Sequence, residues 1–139
     1  MKKGYLIVGL LLMLLLAACG GSEVATAPQE AAIDLAALPP EVDVDTVAEI
    51  ADREEVFLLD VREQWEYDEA HIPGVYLLPM NEVPARLNEI PTDQTVIVTC
   101  RTGNRSGQVT NYLRNQGFSN VHNMAGGIVD WQAEGYPVE

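Results

Sequence analysis

Residues 95–106 read TVIVTCRTGNRS, and this stretch decides the fold. Residues 95–99 are β-branched throughout and lie between polar turn residues, which is typical of a buried strand. Cys100 stands at the carboxyl end of that strand. A helix is predicted from about residue 106 to residue 116, because apolar residues recur there at helical spacing and Gly117 suits the position after the last turn. The stretch therefore predicts a strand, a loop and a helix, with Cys100 where the strand ends.

The remainder of the folded region continues this alternation of strands and helices. Apolar runs and turn residues predict further strands at 56–59, 75–78 and 118–122. Apolar residues at helical spacing and capping residues predict helices at 45–55, with Asp45 as its cap, and at 81–89 and 127–133. The polar run at 63–69 predicts a short helix or a turn. Such alternation predicts an α/β domain with a mostly parallel central sheet and helices on both faces.

The loop after the strand concentrates groups that stabilise a thiolate. Ligands of open parallel sheets bind at the carboxyl ends of strands, where Cys100 lies. Gly103 and Asn104 tolerate positive φ, so the backbone can curl and point its N–H groups inward as an anion nest. The following helix adds its positive end, and Arg101 and Arg105 add full charges. We therefore predict a nucleophilic thiolate that meets an anionic substrate.

Two reactions use a loop of this kind, and its length separates them. Attack on a sulfane sulfur gives a cysteine persulfide, whereas attack on a phosphate ester gives a cysteinyl phosphate. Protein-tyrosine-type phosphatases carry Cys-x5-Arg, but Cys100 and Arg105 form Cys-x4-Arg. The shorter cradle favours sulfur transfer over a phosphatase or arsenate reductase. Two alternatives stay open, a non-catalytic persulfide carrier or sensor and a small inert core residue at Cys100.

Four segments form a larger pattern in chain order. They are Asp60-Val61-Arg62, Glu66-Tyr67 with His71-Ile72-Pro73-Gly74, the loop Cys100 to Ser106, and Gly126-Gly127-Ile128 with Trp131. This pattern resembles the rhodanese-type sulfurtransferases, specifically the small single-domain members. Departures from the family pattern are small: Thr102 replaces the usual Ser, Ala70 a Gly and Val75 an Ala. The resemblance covers residues 41–139 and implies a single rhodanese-like domain.

The resemblance implies a double-displacement reaction on Cys100. Its thiolate takes sulfur from a donor such as thiosulfate, becomes a persulfide, and passes the sulfur to cyanide or a thiol. Asp60 and Arg62 would brace the loop, with Glu63 or Glu66 as partners. The substrate-binding residues would be the loop itself, with both arginines on the donor's anionic end and Ser106 also capping the helix: Arg101, Thr102, Gly103, Asn104, Arg105 and Ser106.

The first 18 residues have the pattern of a secretory signal, with two lysines before an apolar run that is short for a spanning helix. The run ends in Leu16-Ala17-Ala18-Cys19-Gly20, which resembles the bacterial lipoprotein lipobox and implies a lipid on Cys19. Residues 19–40 are then a flexible tether, and residues 41–139 the domain. We expect an extracytoplasmic protein, lipid-anchored to a bacterial membrane at its periplasmic or outer face. An uncleaved membrane helix is the alternative, with the same location.

The net charge and the small number of possible metal-binding side chains limit which partners and cofactors the protein can bind. The formal charge is −13, and loss of residues 1–18 with Lys2 and Lys3 takes it to −15. Such a surface disfavours nucleic acid and docking on anionic lipid. One thiol beside two distant histidines makes no recognisable metal set, so we expect no metal and no cofactor. The expected partners are a small anionic donor, a thiol or cyanide acceptor, the membrane, and optionally a protein that gives or takes sulfur.

Overall fold

The computed structural model describes residues 32–139, and its sheet has five strands that are all parallel within those residues. The strands are β1 (Glu41–Val42), β2 (Val56–Asp60), β3 (Tyr76–Leu77), β4 (Thr95–Thr99) and β5 (Val121–Met124). Their spatial order is β1-β5-β4-β2-β3, which places β4 at the centre. The predicted parallel α/β class is confirmed. Because β4 is the central strand, its carboxyl end lies in the middle of the edge formed by the carboxyl ends of the five strands.

Four α-helices flank the sheet in the described part of the chain. They are α1 (Val44–Ile50), α2 (Gln64–Glu69), α3 (Asn104–Asn115) and α4 (Gly127–Ala133). Three short 3-10 helices accompany them, at Leu35–Ala37, Val83–Ala85 and Leu87–Glu89. The predicted helix at 127–133 is confirmed, and of the two possibilities for residues 63–69 the structure shows the helix, which begins at Gln64.

Alternate residues of the central strands build two apolar clusters, one on each face of the sheet. Ile97 packs in the cluster that contains Trp131 of α4, whereas Val98 packs in the cluster that contains Leu113 of α3. Because both faces are covered, β4 is a continuous apolar run rather than an alternating one. Each such buried side chain stabilises the fold by roughly 1.5–3 kcal/mol.

Two predicted helices differ in the structure. The first begins at Val44 and its cap is Asp43, whose carboxylate accepts from the Thr46 N–H at 2.9 Å; Asp45 lies inside the first turn. The predicted helix at 81–89 is two 3-10 turns instead. Pro84 in the first of them lacks the N–H that a regular helix would need there.

The folded part extends further towards the N-terminus than predicted. Residues 32–40, assigned from the sequence to a tether, include Ile33 and Leu35, which pack against the apolar cluster beside α1. The Arg53 guanidinium donates to the Ile33 carbonyl at 2.8 Å, and the Pro40 carbonyl accepts from Asn123 N–H at 2.9 Å. The tether assignment is therefore wrong for residues 32–40. The predicted signal peptide and Cys19 lie outside the described residues.

Within residues 32–139, no helix has both the length and the apolar character that crossing a membrane requires.

Candidate active site

The loop between β4 and α3 is closed by a glycine in a left-handed conformation. Gly103 has φ 92° and caps α3, which begins at Asn104, two residues earlier than predicted. Ser106 consequently lies inside the first turn, and the prediction that it caps the helix is wrong. Its hydroxyl donates instead to Cys100 Sγ at 3.3 Å. The curl predicted from Gly103 and Asn104 is present, but only the glycine adopts positive φ.

Cys100 lies at the centre of this curled loop. The residue is 1% exposed and its thiol is free. Sγ also accepts from the Gly103 N–H at 3.2 Å. Burial alone would raise the pKa of this thiol, but hydrogen bonds from the Ser106 hydroxyl and from backbone N–H groups outweigh burial and lower the pKa below its ordinary value. The loop thus favours the thiolate, the nucleophilic form of cysteine.

The first residues of α4 donate backbone hydrogen bonds to the loop that contains Cys100. The Ile128 N–H donates to the Cys100 carbonyl at 2.9 Å, and the Val129 N–H donates to the Arg101 carbonyl at 3.1 Å. At Gly127, whose φ is 62°, a Cβ would lie 2.5 Å from the carbonyl oxygens of Cys100 and Arg101. Only glycine permits this approach, which explains why the Gly-Gly segment belongs to the site.

The two arginines of the loop have different surroundings. Arg105 forms a two-pronged ion pair with Glu66 of α2, at 2.6 and 2.7 Å. The hydrogen bond from Arg105 lowers the pKa of the Glu66 carboxyl to about 2, and Glu66 in turn raises the pKa of Arg105. Arg101 is exposed, and among the described residues it makes no ion pair. Of the two arginines expected on a donor, one is already bound to a carboxylate.

Asp60 and Arg62 act on the site through α2. Their side chains, 2% and 5% exposed, form an ion pair at 2.7 Å. Arg62 also donates to the main-chain carbonyls of Glu66 and Ala70, at 3.2 and 2.8 Å. The predicted partner Glu66 is therefore contacted by its carbonyl, and Glu63 is not contacted. The pair holds the helix that carries Glu66.

Asn123 of β5 is a contact of the loop that the sequence did not indicate. Its amide donates to the Gly103 carbonyl at 3.1 Å and to the Glu41 carboxylate at 3.0 Å. A polar cleft of about 420 Å³ lies beside the loop, and its lining includes Thr102, Asn104 and Asn123 but not Cys100. The available signal was an amide side chain in the last strand, but the predicted strand at 118–122 ended one residue too early to include it.

Ser106→Ala should raise the pKa of Cys100, because it removes one of the hydrogen bonds that favour the thiolate. We expect a rise of about one pH unit, measured by the ultraviolet absorbance of the thiolate against the same chain with Cys100→Ala. Thr102→Val is the matched control, because Thr102 is exposed and acts on the sulfur through its N–H alone. An unchanged titration in Ser106→Ala would contradict the assigned role of the hydroxyl.

Comparison with known proteins agrees with this geometry. Residues 43–134 match the family model described as "Rhodanese-like domain". A protein of Allochromatium vinosum called "Sulfurtransferase" is 40% identical over 99 residues, covering 70% of this chain and 92% of that protein. The "Thiosulfate sulfurtransferase GlpE" of Pseudoalteromonas translucida is 33% identical over 92 residues, covering 66% and 88%.

The fold is also that of a solved relative. The crystal structure of a rhodanese-related protein from Thermoplasma volcanium superposes with a TM-score of 0.67 at 29% identity, covering 73% of this chain and 98% of that one. The family match spans well over half of the chain and includes the loop around Cys100. The relatives from Allochromatium vinosum and Pseudoalteromonas translucida carry the name sulfurtransferase, and this chain belongs to the rhodanese-like domain family.

Proposed function

We propose that this protein transfers sulfane sulfur from a small anionic donor to a thiol or cyanide through a persulfide on Cys100. The observation that carries the proposal is the buried sulfur at the end of β4, which accepts hydrogen bonds from Gly103 and Ser106. These donors stabilise negative charge on Sγ in the thiolate, which attacks the donor in the first step and is released again in the second.

The reaction has two displacements. With thiosulfate, the Cys100 thiolate attacks the outer sulfur, the S–S bond breaks, and sulfite leaves with the bonding electron pair. Cyanide or a thiolate then attacks the terminal sulfur of the persulfide, which releases thiocyanate or a new persulfide and regenerates the Cys100 thiolate. Thiosulfate as donor is supported by the name of the relative from Pseudoalteromonas translucida.

The other residues of the loop have separate roles in donor binding and in holding the sulfur. Arg101 is the exposed cation at the loop and is assigned to the anionic end of the donor. Arg105, neutralised by Glu66, keeps α2 against the loop and contributes less to donor binding than a free arginine would. The Gly103 N–H and the Ser106 hydroxyl hold the sulfur. Asn104 and Thr102 line the neighbouring cleft.

The test is to mix the reduced, purified full-length chain with thiosulfate and cyanide and to follow thiocyanate. Intact mass spectrometry before cyanide is added should show a gain of about 32 Da, one sulfur atom, on Cys100. Turnover with this adduct supports the enzyme. The adduct without turnover would favour a persulfide carrier. Absence of both would contradict sulfur transfer from thiosulfate and direct the search to phosphate esters or arsenate as substrates.

We further propose that Cys19 carries a lipid and anchors the domain outside the cytoplasm. The support is the apolar leader followed by Leu16-Ala17-Ala18-Cys19. Two or more acyl chains on Cys19 would give stable membrane attachment. Cys19→Ser should abolish incorporation of labelled palmitate and release the protein from lipid-dependent membrane attachment. Cys100→Ser is the matched control, which should still be labelled. Equal labelling of the Cys19→Ser chain would contradict the anchor.

A further inference from the structure

The hinge of the sulfur-binding loop is Gly103. Its N–H donates to Cys100 Sγ at 3.2 Å, and it is the loop residue with left-handed φ. A glycine has no Cβ to limit its own φ and ψ, so its conformation depends on what holds it from outside. The direction of the Gly103 N–H is therefore decided by the contacts of this one residue.

Two groups hold the Gly103 carbonyl. One is the Gly107 N–H of α3, at 3.0 Å, which belongs to the ordinary first turn of the helix. The other is the side-chain amide of Asn123, at 3.1 Å, which reaches across from β5. Asn123 is 4% exposed, and the Glu41 carboxylate accepts from the same amide at 3.0 Å, which orients it. The Gly103 carbonyl is thus held from within α3 and, across the sheet, from β5.

The packing leaves the amide little freedom. A Cβ on Gly107 would approach Asn123 Nδ2 to 3.3 Å, so the glycine in α3 makes room for the amide. A Cβ on Gly103 would lie 3.2 Å from the Gly126 nitrogen, which places the hinge against the turn before α4. The amide therefore lies against Gly107 of α3, with its donor directed at the Gly103 carbonyl.

We infer that Asn123 is a positioning residue for Cys100: by holding the Gly103 carbonyl, its amide keeps the Gly103 N–H directed at the reacting sulfur. This role rests on the proposed function only in taking Cys100 as the nucleophile. Asn123 acts through Gly103, because the hydrogen bonds that its side chain donates go to the Gly103 carbonyl and the Glu41 carboxylate, not to Cys100.

The test measures the thiol without any sulfur donor. The ultraviolet absorbance of the thiolate is titrated in the full-length chain and in Asn123→Ala, each against the same chain carrying Cys100→Ala. We expect Asn123→Ala to raise the pKa of Cys100 by about one pH unit, since one hydrogen bond to the thiolate is weakened. The substitution changes no formal charge: Arg101 and the ion pairs Asp60–Arg62 and Glu66–Arg105 are kept, and the charged side chain whose contacts change is Glu41, which loses its hydrogen bond from the amide.

A matched control separates positioning from general damage to the core. Thr110 of α3 is 1% exposed, and among the described residues its hydroxyl has no hydrogen-bond partner. Thr110→Val should leave the titration unchanged. Asn123→Leu, which fills more of the space without a donor, should raise the pKa as Asn123→Ala does. Circular dichroism and cooperative thermal unfolding establish that each variant folds.

A titration of folded Asn123→Ala and Asn123→Leu that coincides with the unsubstituted chain would overturn the inference. Failure of both to unfold cooperatively, while Thr110→Val folds, would also overturn it in favour of a purely structural role. The titration uses no donor or acceptor, so a chain inactive towards thiosulfate could still show the shift. Failure of this inference and failure of the proposed function are thereby distinguishable.

Discussion

Cys100→Ala should abolish thiocyanate formation, with the rate falling on the order of 10⁴-fold or more, because the variant has no atom to carry the transferred sulfur. The intact mass should show no sulfur adduct after thiosulfate is added. The loss would not arise from unfolding, because removing one buried sulfur atom leaves a small void that costs about 1 kcal/mol.

Cys100→Ser is the matched variant for this prediction. The hydroxyl keeps nearly the same volume and can still accept from Gly103 and Ser106, but its pKa is far too high for it to act as the thiolate does. Both variants should unfold within about 1–2 kcal/mol of the unsubstituted chain in denaturant titrations. A sulfur adduct or thiocyanate turnover retained in Cys100→Ala would refute Cys100 as the nucleophile.

Glu66→Ala should destabilise the fold by about 2 kcal/mol and weaken sulfur transfer. The substitution removes a carboxylate that is 7% exposed and leaves the Arg105 guanidinium without its two-pronged partner. Loss of one member of a fully buried pair costs about 3–5 kcal/mol. Arg105 is 33% exposed and can be rehydrated, so we expect the smaller loss of about 2 kcal/mol. Denaturant unfolding and thiocyanate kinetics measure the two effects.

Glu69→Ala is the control for Glu66→Ala. Glu69 lies in the same helix and carries the same charge, but it is exposed. We expect a change within about 0.5 kcal/mol for this control. Equal stability losses in the two variants would show that net charge or helix propensity, rather than the contact with Arg105, causes the effect.

The Glu66 ion pair also predicts how stability depends on pH. The pKa of Glu66 is lowered from 4.5 to about 2 in the folded protein, so the folded state binds its proton less readily than the unfolded state. Its contribution is complete above about pH 4.5 and is lost as the pH falls towards 2. Other carboxylates titrate in this range, so the difference between the unsubstituted chain and Glu66→Gln isolates it. An identical pH profile for both would contradict the pair.

Local sequence pattern determined the class of fold and the central element of the site. A parallel strand covered on both faces needs a run such as Thr95–Thr99, and a helix needs apolar residues at its own spacing, so both are visible in neighbouring residues. The loop around Cys100 is likewise contiguous, so a curl at Gly103 next to a helix start could be predicted.

Local pattern was insufficient to place the first residue of two helices. Asp43 and Asp45 can each cap a helix, and the extended backbone of Asp43 decided between them. Ser106 has the side chain of a cap, but the left-handed turn at Gly103 starts α3 earlier and directs the hydroxyl at Cys100. The choice depended on backbone geometry that residue type does not specify.

The tertiary structure alone decided which distant groups meet the loop. Glu66 is 39 residues from Arg105, and Asn123 is 20 residues from Gly103, so no local spacing relates them. The strand order brings β5 beside β4, and the Asp60–Arg62 pair holds α2 close to the same edge. A sequence specifies a thiolate loop because its atoms are covalent neighbours, whereas the contacts that orient it arise only when the sheet places separate segments side by side.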